Sequence, residues 1–398
     1  MSLKSVSSVP VAHQSILMRV DFNVPLNEQG EVQDDFRIKQ ILPTIDYLLK
    51  KKAGKIILIS HLGRPQKEDR GKKIYSLSGV AQHLGSLLQQ KVYFFSDKID
   101  SSLAEKIKQL PESSIVLLEN IRFYPEEEMN DQSFAQQLAN LGDIFVSDAF
   151  SVSQRTAASL CAITNLLPSY GGLLLEKEIS SLDHFRENIS SPSIMILGGA
   201  KIRDKINLIQ KFISSLDSIL LGGAVANTVF KNWGIEIGQS LVENDMMAIS
   251  ERLKKEKKKV ILPLDFLVLT KDGGKEIRLL EKVENSDLVL DIGPETIQSF
   301  SSIIALAQTI FWNGPLGKFE DEKFSLGTKA IARAIFQNHT ASAVIGGGDT
   351  IRALREVISE EEIIKSENIF LSTGGGAMLE YLANEPLPGL EGLKQKSV

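Results

Sequence analysis

A single cysteine, Cys161, stands in 398 residues, so no internal disulfide can form. The lone thiol, between Leu160 and Ala162, reads as core packing in a chain suited to a reducing cytosol. A basic excess is missing too: the net charge is −5, which argues against a nucleic-acid binder. No apolar run reaches the roughly 18 residues of a membrane helix, and the N-terminus has no long apolar stretch, so neither span nor signal peptide is expected. The histidines and the cysteine show no zinc-type spacing, so no dedicated transition-metal site is expected. Both common nucleotide fingerprints, G-x-G-x-x-G and G-x-x-x-x-G-K-[ST], are absent, which argues against a dehydrogenase and a P-loop NTPase.

What remains is an ordinary soluble composition, 43% hydrophobic and 24% charged, in a chain long enough to predict two or more domains. Short apolar runs alternate with longer helical patterns, the signature of βαβ units around parallel sheets. Strands are expected at 16–22, 55–59, 114–118 and 143–146, then at 193–197, 218–221, 259–262, 309–312, 342–345 and 369–371. Helices are expected at 38–52, 78–90, 103–110 and 133–140, and later at 204–215, 224–233, 248–258, 324–337, 350–357 and 377–384. Residues 173–186, after Gly171-Gly172, read as a helix joining two lobes, with a hinge at its ends.

The two halves end their strands differently. First-half strands run into Asp21 and Asn23, His61 and Arg64, Arg122, and Asp148 with Arg155 following; Arg37 adds a further guanidinium. Second-half strands run into Gly198-Gly199, Gly222-Gly223, Asn313-Gly314-Pro315, Gly346-Gly347-Gly348 and Gly374-Gly375-Gly376. Ligands of open α/β sheets sit beyond the strand C-termini. The first half should therefore offer side-chain cations to a small anion, and the second bare backbone to a larger ligand such as a nucleotide.

The run 194–205 is the centre of this reading: an apolar strand, a glycine pair, then a helical pattern carrying Lys201 and Lys205 on one face. Like charges four apart repel, and either the nearby Asp204 or a bound anion relieves them; the glycine pair favours the anion. Asp349, opening a helix after three glycines, serves equally as N-cap or as a Mg²⁺ ligand. Asp21 and Asn23, sharing a face at a strand end, suit either a substrate hydroxyl or a structural pair with Arg19. Glu320 suits a ribose or a solvated loop.

These residues lie in motifs that resemble the phosphoglycerate kinase family from one end of the chain to the other: RVDFNVPL (19–26), DDFRI (34–38), SHLGRP (60–65), LENIRF (118–123), GGAKIRDK (198–205), GGAVANT (222–228), DIGPET (291–296), WNGPLGKFE (312–320), GGGDT (346–350) and STGGGA (372–377). The resemblance implies an α/β fold of two Rossmann-like lobes with parallel sheets joined by an interdomain helix. It implies a phosphoglycerate-binding lobe over 1–172, the helix over 173–186, a nucleotide-binding lobe over 187–384, and a segment 385–398 returning to the first lobe. The implied reaction is reversible transfer of the acyl phosphate of 1,3-bisphosphoglycerate to MgADP, giving 3-phosphoglycerate and ATP, in a cytoplasmic monomer. Asp21, Asn23, Arg37, His61, Arg64, Arg122 and Arg155 would hold the phosphoglycerate. Gly199, Ala200, Lys201, Lys205, Gly222, Gly223, Gly293, Asn313, Pro315, Glu320, Gly348, Asp349 and Thr350 would hold the nucleotide, Asp349 its Mg²⁺. Arg37, Lys201, Gly374 and Gly375 would act on the phosphoryl group.

One loop departs. Where the family reads Asp-Ala-Phe-Gly-Thr-Ala-His-Arg with a second histidine two residues on, this chain has Ser151-Val152-Ser153-Gln154 before Arg155, and Ala157. Phe36 also replaces the usual threonine before Arg37. The departure leaves a second reading open, a nucleotide-binding homologue without efficient catalysis; a third is an acyl-phosphate kinase for another small acid.

Overall fold

The computed structural model describes residues 3–69 and 71–395; residues 1–2 and 396–398 of the expected first and last segments lie outside them. The chain divides into two compact units. One holds the described residues up to Ser180 and those from Pro386 onward, the other Ser181–Glu385.

The first unit is built on strands β1 (Ser15–Arg19), β2 (Lys55–Ile59), β3 (Val92–Phe95), β4 (Ser114–Leu118), β5 (Ile144–Ser147) and β6 (Ser169–Gly171). They form one sheet in the order β3-β4-β2-β1-β5-β6. Every pairing is parallel, with Ile16 beside Ile56 and Ile144. The helices are α1 (Phe36–Lys50), α2 (Ser78–Leu88), α3 (Ser101–Lys108), α4 (Pro125–Glu128), α5 (Gln132–Ala139) and α6 (Leu173–Glu187), inside which the division between units falls.

Side chains alternate across a strand, so its continuous apolar runs feed two cores. Ile16, Met18, Ile56, Leu58, Ile115 and Leu117 pack with Ile41 and Ile45 of α1 and Val80 and Leu84 of α2. Leu17, Ile57, Ile59, Val116 and Leu118 pack with Leu103 and Ile107 of α3 and Phe134 and Leu138 of α5. Each fully buried aliphatic side chain is worth about 1.5–3 kcal/mol of transfer free energy, enough to fix which way each strand faces. Helix starts are set by acid caps: Asp100 accepts from the Ser102 and Leu103 amides, and Asp131 from Phe134.

The second unit has β7 (Ser193–Leu197), β8 (Ser218–Leu221), β9 (Val260–Ile261), β10 (Asp265–Leu269), β11 (Lys275–Leu279), β12 (Leu288–Ile292), β13 (Thr309–Asn313), β14 (Ser342–Gly346) and β15 (Ile369–Ser372). Its parallel sheet runs β15-β14-β13-β7-β8-β9, and β11-β10-β12 form a separate antiparallel sheet. Its helices are α7 (Ile206–Phe212), α8 (Gly223–Asn232), α9 (Met247–Lys255), α10 (Pro294–Leu306), α11 (Leu326–Gln337), α12 (Gly348–Arg355), α13 (Glu360–Lys365) and α14 (Gly376–Leu382). The last helix, α15 (Pro388–Glu391), belongs to the first unit, where the Gly389 amide donates to the Ser153 carbonyl at 2.8 Å.

The parallel strands read from the sequence lie within three residues of their expected ends, whereas β3, β6, β10–β12, α4, α10, α13 and α15 were not anticipated. Two local expectations fail. Helix α7 begins only at Ile206 after a 3-10 turn over Arg203–Lys205, so Lys201 lies before any helix and shares no helix face with Lys205. Strand β1 stops at Arg19, leaving Asp21 and Asn23 in the loop beyond it.

Candidate functional site

In the first unit the loops leaving β1, β2, β4 and β5 interlock. Asp21 is 5% exposed. Its Oδ2 accepts from Arg37 Nη1, near the start of α1, and from the Ser151 hydroxyl in the 3-10 turn Phe150–Val152. Its Oδ1 accepts the Asn23 amide at 2.9 Å. Asp21 thus pairs with Arg37, and Arg19 points elsewhere: its guanidinium donates to Ser159 Oγ at 3.0 Å and to the Val20 carbonyl. Asn23 Oδ1 receives the Gly63 amide at 2.8 Å, and the Gly63 carbonyl receives Arg122 Nη1. Asn120 locks the β4 loop, accepting from the Leu62 and Arg122 amides and donating to the Leu62 and Tyr75 carbonyls.

Charge sorts these groups. Burial pushes the Asp21 carboxyl up, but facing Arg37 and His61 together with the Ser151 and Asn23 hydrogen bonds it is held at about 2. His61 is 3% exposed. Burial, reinforced by Arg19, Arg122 and Arg37 against the pull of Asp21, holds it well below the usual imidazole range, so it is neutral at pH 7 and Arg37 supplies the cation facing Asp21. Arg19 Nη2 lies 3.4 Å from His61 Nδ1; a guanidinium only donates, so Nδ1 accepts and the proton sits on Nε2. Burial, then the like charges of Arg155 and Arg19, bring Arg122 down to about 10, with Glu128 opposing and Arg64 adding to the repulsion.

Arg19, Arg122 and Arg155 line one cavity of about 320 Å³, with Glu127, Glu128, Val152 and Ala157 among its walls. Asp21, Asn23, Arg37, His61 and Arg122 are therefore brought together by the fold, Arg155 meets Arg122 across the cavity, and Arg64 is exposed nearby. Arg19, Asn120 and Ser151 were not anticipated as site residues; an arginine inside the buried run of β1 was the signal for the first. Gln154 buries its Oε1 with no hydrogen-bond partner, and Ala157 packs with Ala149, Val152 and Leu160, beside a half-buried Cys161 whose thiol burial pushes up.

In the second unit the strand ends are held by backbone. The turns after β7 and β13 touch: a Cβ at Gly198 would lie 2.1 Å from the Pro315 carbonyl oxygen, and Gly314 has φ +94°. The Gly199 amide donates to the Pro315 carbonyl at 2.7 Å and the Gly223 amide to Leu316 at 3.0 Å. Asn313 Nδ2 reaches the Gly346 carbonyl at 2.9 Å, and Thr350 Oγ1 takes the Gly314 amide at 2.8 Å, so these two buried side chains stitch the turns.

Against the turns lies a pocket of about 540 Å³ whose lining includes Gly199, Ala200, Gly223, Pro315, Glu320 and Asp349. Its apolar wall, with Leu241, Phe266, Val289 and Leu316, comes partly from the unanticipated antiparallel sheet. Gly347, with φ +100°, caps α12, so Asp349 sits in the first turn, exposed at the pocket, and is not the N-cap. Gly222 and Gly348 flank lining residues; Gly293 caps α10 against the Asp265 carboxylate. Lys201 is exposed, while Lys205 is buried, donates to the Lys201 carbonyl at 3.1 Å, and is lowered by burial against Asp204 and Glu243. Gly374 and Gly375 follow β15, beyond β14 from the pocket strand β13; the Gly374 amide donates to Ser372 Oγ at 3.1 Å.

Among the described residues no group of three or more His, Cys, Asp or Glu is placed to hold a metal. Asp349, beside the glycine turns, offers one exposed carboxylate at the pocket, which suits an ion that takes most of its ligands from phosphate and water. No helix among the described residues is long and apolar enough to cross a membrane.

A family model described as phosphoglycerate kinase matches residues 6–385. A phosphoglycerate kinase of Coprothermobacter proteolyticus is 44% identical over 395 residues, 98% of either chain. One of Pelotomaculum thermopropionicum is 39% identical over the full length of both. Among solved structures, phosphoglycerate kinase from Pyrococcus horikoshii superposes with a TM-score of 0.87 at 30% identity, and that from Coxiella burnetii with 0.79 at 33%, each covering 98% of both chains.

Proposed function

The chain belongs to the phosphoglycerate kinase family, and from that premise we propose how its residues divide the work. The reaction is reversible transfer of the acyl phosphate of 1,3-bisphosphoglycerate to ADP, a step of glycolysis and gluconeogenesis. Asp21, Asn23, Arg37, His61, Arg64, Arg122 and Arg155 hold the phosphoglycerate in the first unit, and Arg19 backs them. The observation that carries this assignment is the convergence of Arg19, Arg122 and Arg155 on one cavity, where mutual repulsion, only partly offset by Glu127 and Glu128 in its walls, favours a bound anion. His61, neutral with its proton on Nε2, donates to the ligand and takes up no proton.

ADP occupies the second unit's pocket, its base against the apolar wall, its ribose near Glu320 and its phosphates toward Gly199 and Asp349. Mg²⁺, when bound through Asp349 and the phosphates, supplies charge neutralisation. Lys201, Lys205, Gly374 and Gly375 serve the phosphoryl group. The P–O bond to the acyl oxygen breaks, the carboxylate leaves, and an oxygen of the ADP terminal phosphate takes the phosphorus. No proton moves, so positioning and charge suffice. The reading includes a closing motion about α6 during turnover, since water reaching the acyl phosphate would hydrolyse it. It also places the protein in the cytoplasm as a monomer, in keeping with its one cysteine.

A coupled assay with ADP and 1,3-bisphosphoglycerate tests it. Turnover of about 1–100 per second or faster is expected. Nucleotide binding without turnover would overturn the reading.

A further inference from the structure

Asp21 has more hydrogen-bond partners than an arginine pair requires, and the extra one comes from a distant loop. Ser151 lies 130 residues further along the chain, and its hydroxyl donates to the Oδ2 already held by Arg37 Nη1. Each carboxylate oxygen accepts about two hydrogen bonds. Oδ2 is therefore filled. Oδ1 takes only the Asn23 amide, and His61 Nδ1, 3.9 Å away, is too distant to add a second. One acceptor position of a carboxylate that is only 5% exposed is left open.

We propose that Ser151 is a positioning residue for phosphoglycerate: it pins Asp21 so that Oδ1 alone faces the ligand and accepts its 2-hydroxyl. The inference rests on the reading above that Asp21 is among the residues that hold the phosphoglycerate. Glycine, which the family pattern has here, offers no such hydroxyl. Without it Oδ2 keeps a free lone pair and the carboxylate can turn about Cβ–Cγ, spreading its acceptors over more than one direction. The hydroxyl itself is well anchored. Its neighbours Phe150 and Val152 are buried, and the Ser153 carbonyl is tied to the Gly389 amide of α15 at 2.8 Å. The turn that carries Ser151 also leads into Arg155 at the cavity, so one short loop fixes a hydroxyl acceptor and an anion binder together.

The test is steady-state kinetics with ATP and 3-phosphoglycerate for Ser151→Ala, Ser151→Thr and Asp21→Ala. It is joined by inhibition by 3-phosphooxypropionate, which lacks the 2-hydroxyl. Ser151→Ala should raise KM for 3-phosphoglycerate by roughly three- to tenfold, with kcat and KM for ATP moving far less. Ser151→Thr, which keeps the hydroxyl, should restore it, and the deoxy inhibitor should bind wild type and Ser151→Ala alike. If Asp21→Ala raises that KM and Ser151→Ala does not, the inference fails while the reading of Asp21 stands. If Asp21→Ala has no effect either, that reading falls and takes the inference with it. A Ser151→Ala enzyme that loses ATP affinity, kcat and thermal stability together would make the hydroxyl a folding element and overturn the proposal.

Discussion

The two units put different matter at the ends of similar parallel strands. The first places guanidinium, carboxylate and imidazole groups there, so its recognition depends on charges that must satisfy one another when no ligand is present. Asp21 is held at about 2 because Arg37 faces it against the pull of burial, while Asp148, equally buried, is pushed up to about 7 by burial that the Thr44 hydroxyl and the Leu175 and Leu174 amides only partly offset, with Glu176 adding to the rise. Burial alone does not decide the charge of a carboxyl; a facing cation does. The second unit places glycine amides and an apolar wall at its strand ends, with Asp291, Glu320 and Asp349 set among them, a surface that selects largely by shape. Substitutions should therefore act on charge and affinity in the first unit and on geometry and rate in the second.

The largest effect should come where an exposed cation of the second unit, Lys201, meets the moving charge. Lys201→Ala is expected to lower kcat by roughly 10²–10³-fold while ADP affinity changes little, since the ammonium matters most as the phosphoryl group transfers. Steady-state kinetics beside direct ADP binding checks this; equal losses in both would end the assignment and erase one side of the contrast. A smaller effect is expected across the cavity of the first unit. Arg155→Ala should raise KM for 3-phosphoglycerate about ten- to a hundredfold, by loss of a charge-assisted contact, and leave ADP binding alone. A shift in ADP affinity of similar size would show that the two recognition modes are not separable by unit.

Much of this was legible beforehand because strands buried on both faces write themselves as continuous apolar runs: Ser193–Leu197 and Ser218–Leu221 begin and end where the sequence placed them. The unanticipated strands have weaker patterns. Strand β3 is half-buried throughout, and β11 is exposed at four of five positions, so neither shows a run or a clean alternation. The hairpin between β10 and β11 did carry a signal, Asp272-Gly273, between Phe266 and Val268 on one side and Ile277 on the other. For the site, residue types and loop positions were readable, but partners were not. Nothing in the sequence tells that Asp21 meets Ser151, or that Lys201 stays outside α7, because those facts depend on how loops distant in sequence fold over one another. Asn313 and Thr350 were expected as nucleotide contacts; they are buried among the turns they hold, a role that spacing cannot distinguish from binding.

The smallest effect sharpens the contrast from the opposite side, because the second unit too has a titratable group. Asp291 on β12 accepts the Gly327 amide at 2.7 Å and the Ile292 amide at 2.9 Å, lines the pocket, and is pushed up to about 7 by burial that those two bonds only partly offset. Its folded value lies above the unfolded one of about 3.9, so the folded state holds the extra proton between those limits. Its contribution is therefore complete below pH 4 and is lost as pH rises toward 7, opposite to Asp21, whose contribution is lost as pH falls from 4 toward 2. Between pH 6 and 7 this one carboxyl should lower stability by about 1 kcal/mol, and Asp291→Asn, neutral at both, should lack that slope. Trp233 and Trp312 both lie in the second unit, so tryptophan fluorescence in a denaturant titration reads the right unit without interference from Asp148 in the other. Equal slopes in wild type and variant would mean that Asp291 is ionised in the folded pocket. Its side of the pocket would then present a negative charge in the folded state, and shape would count for less in what the second unit selects.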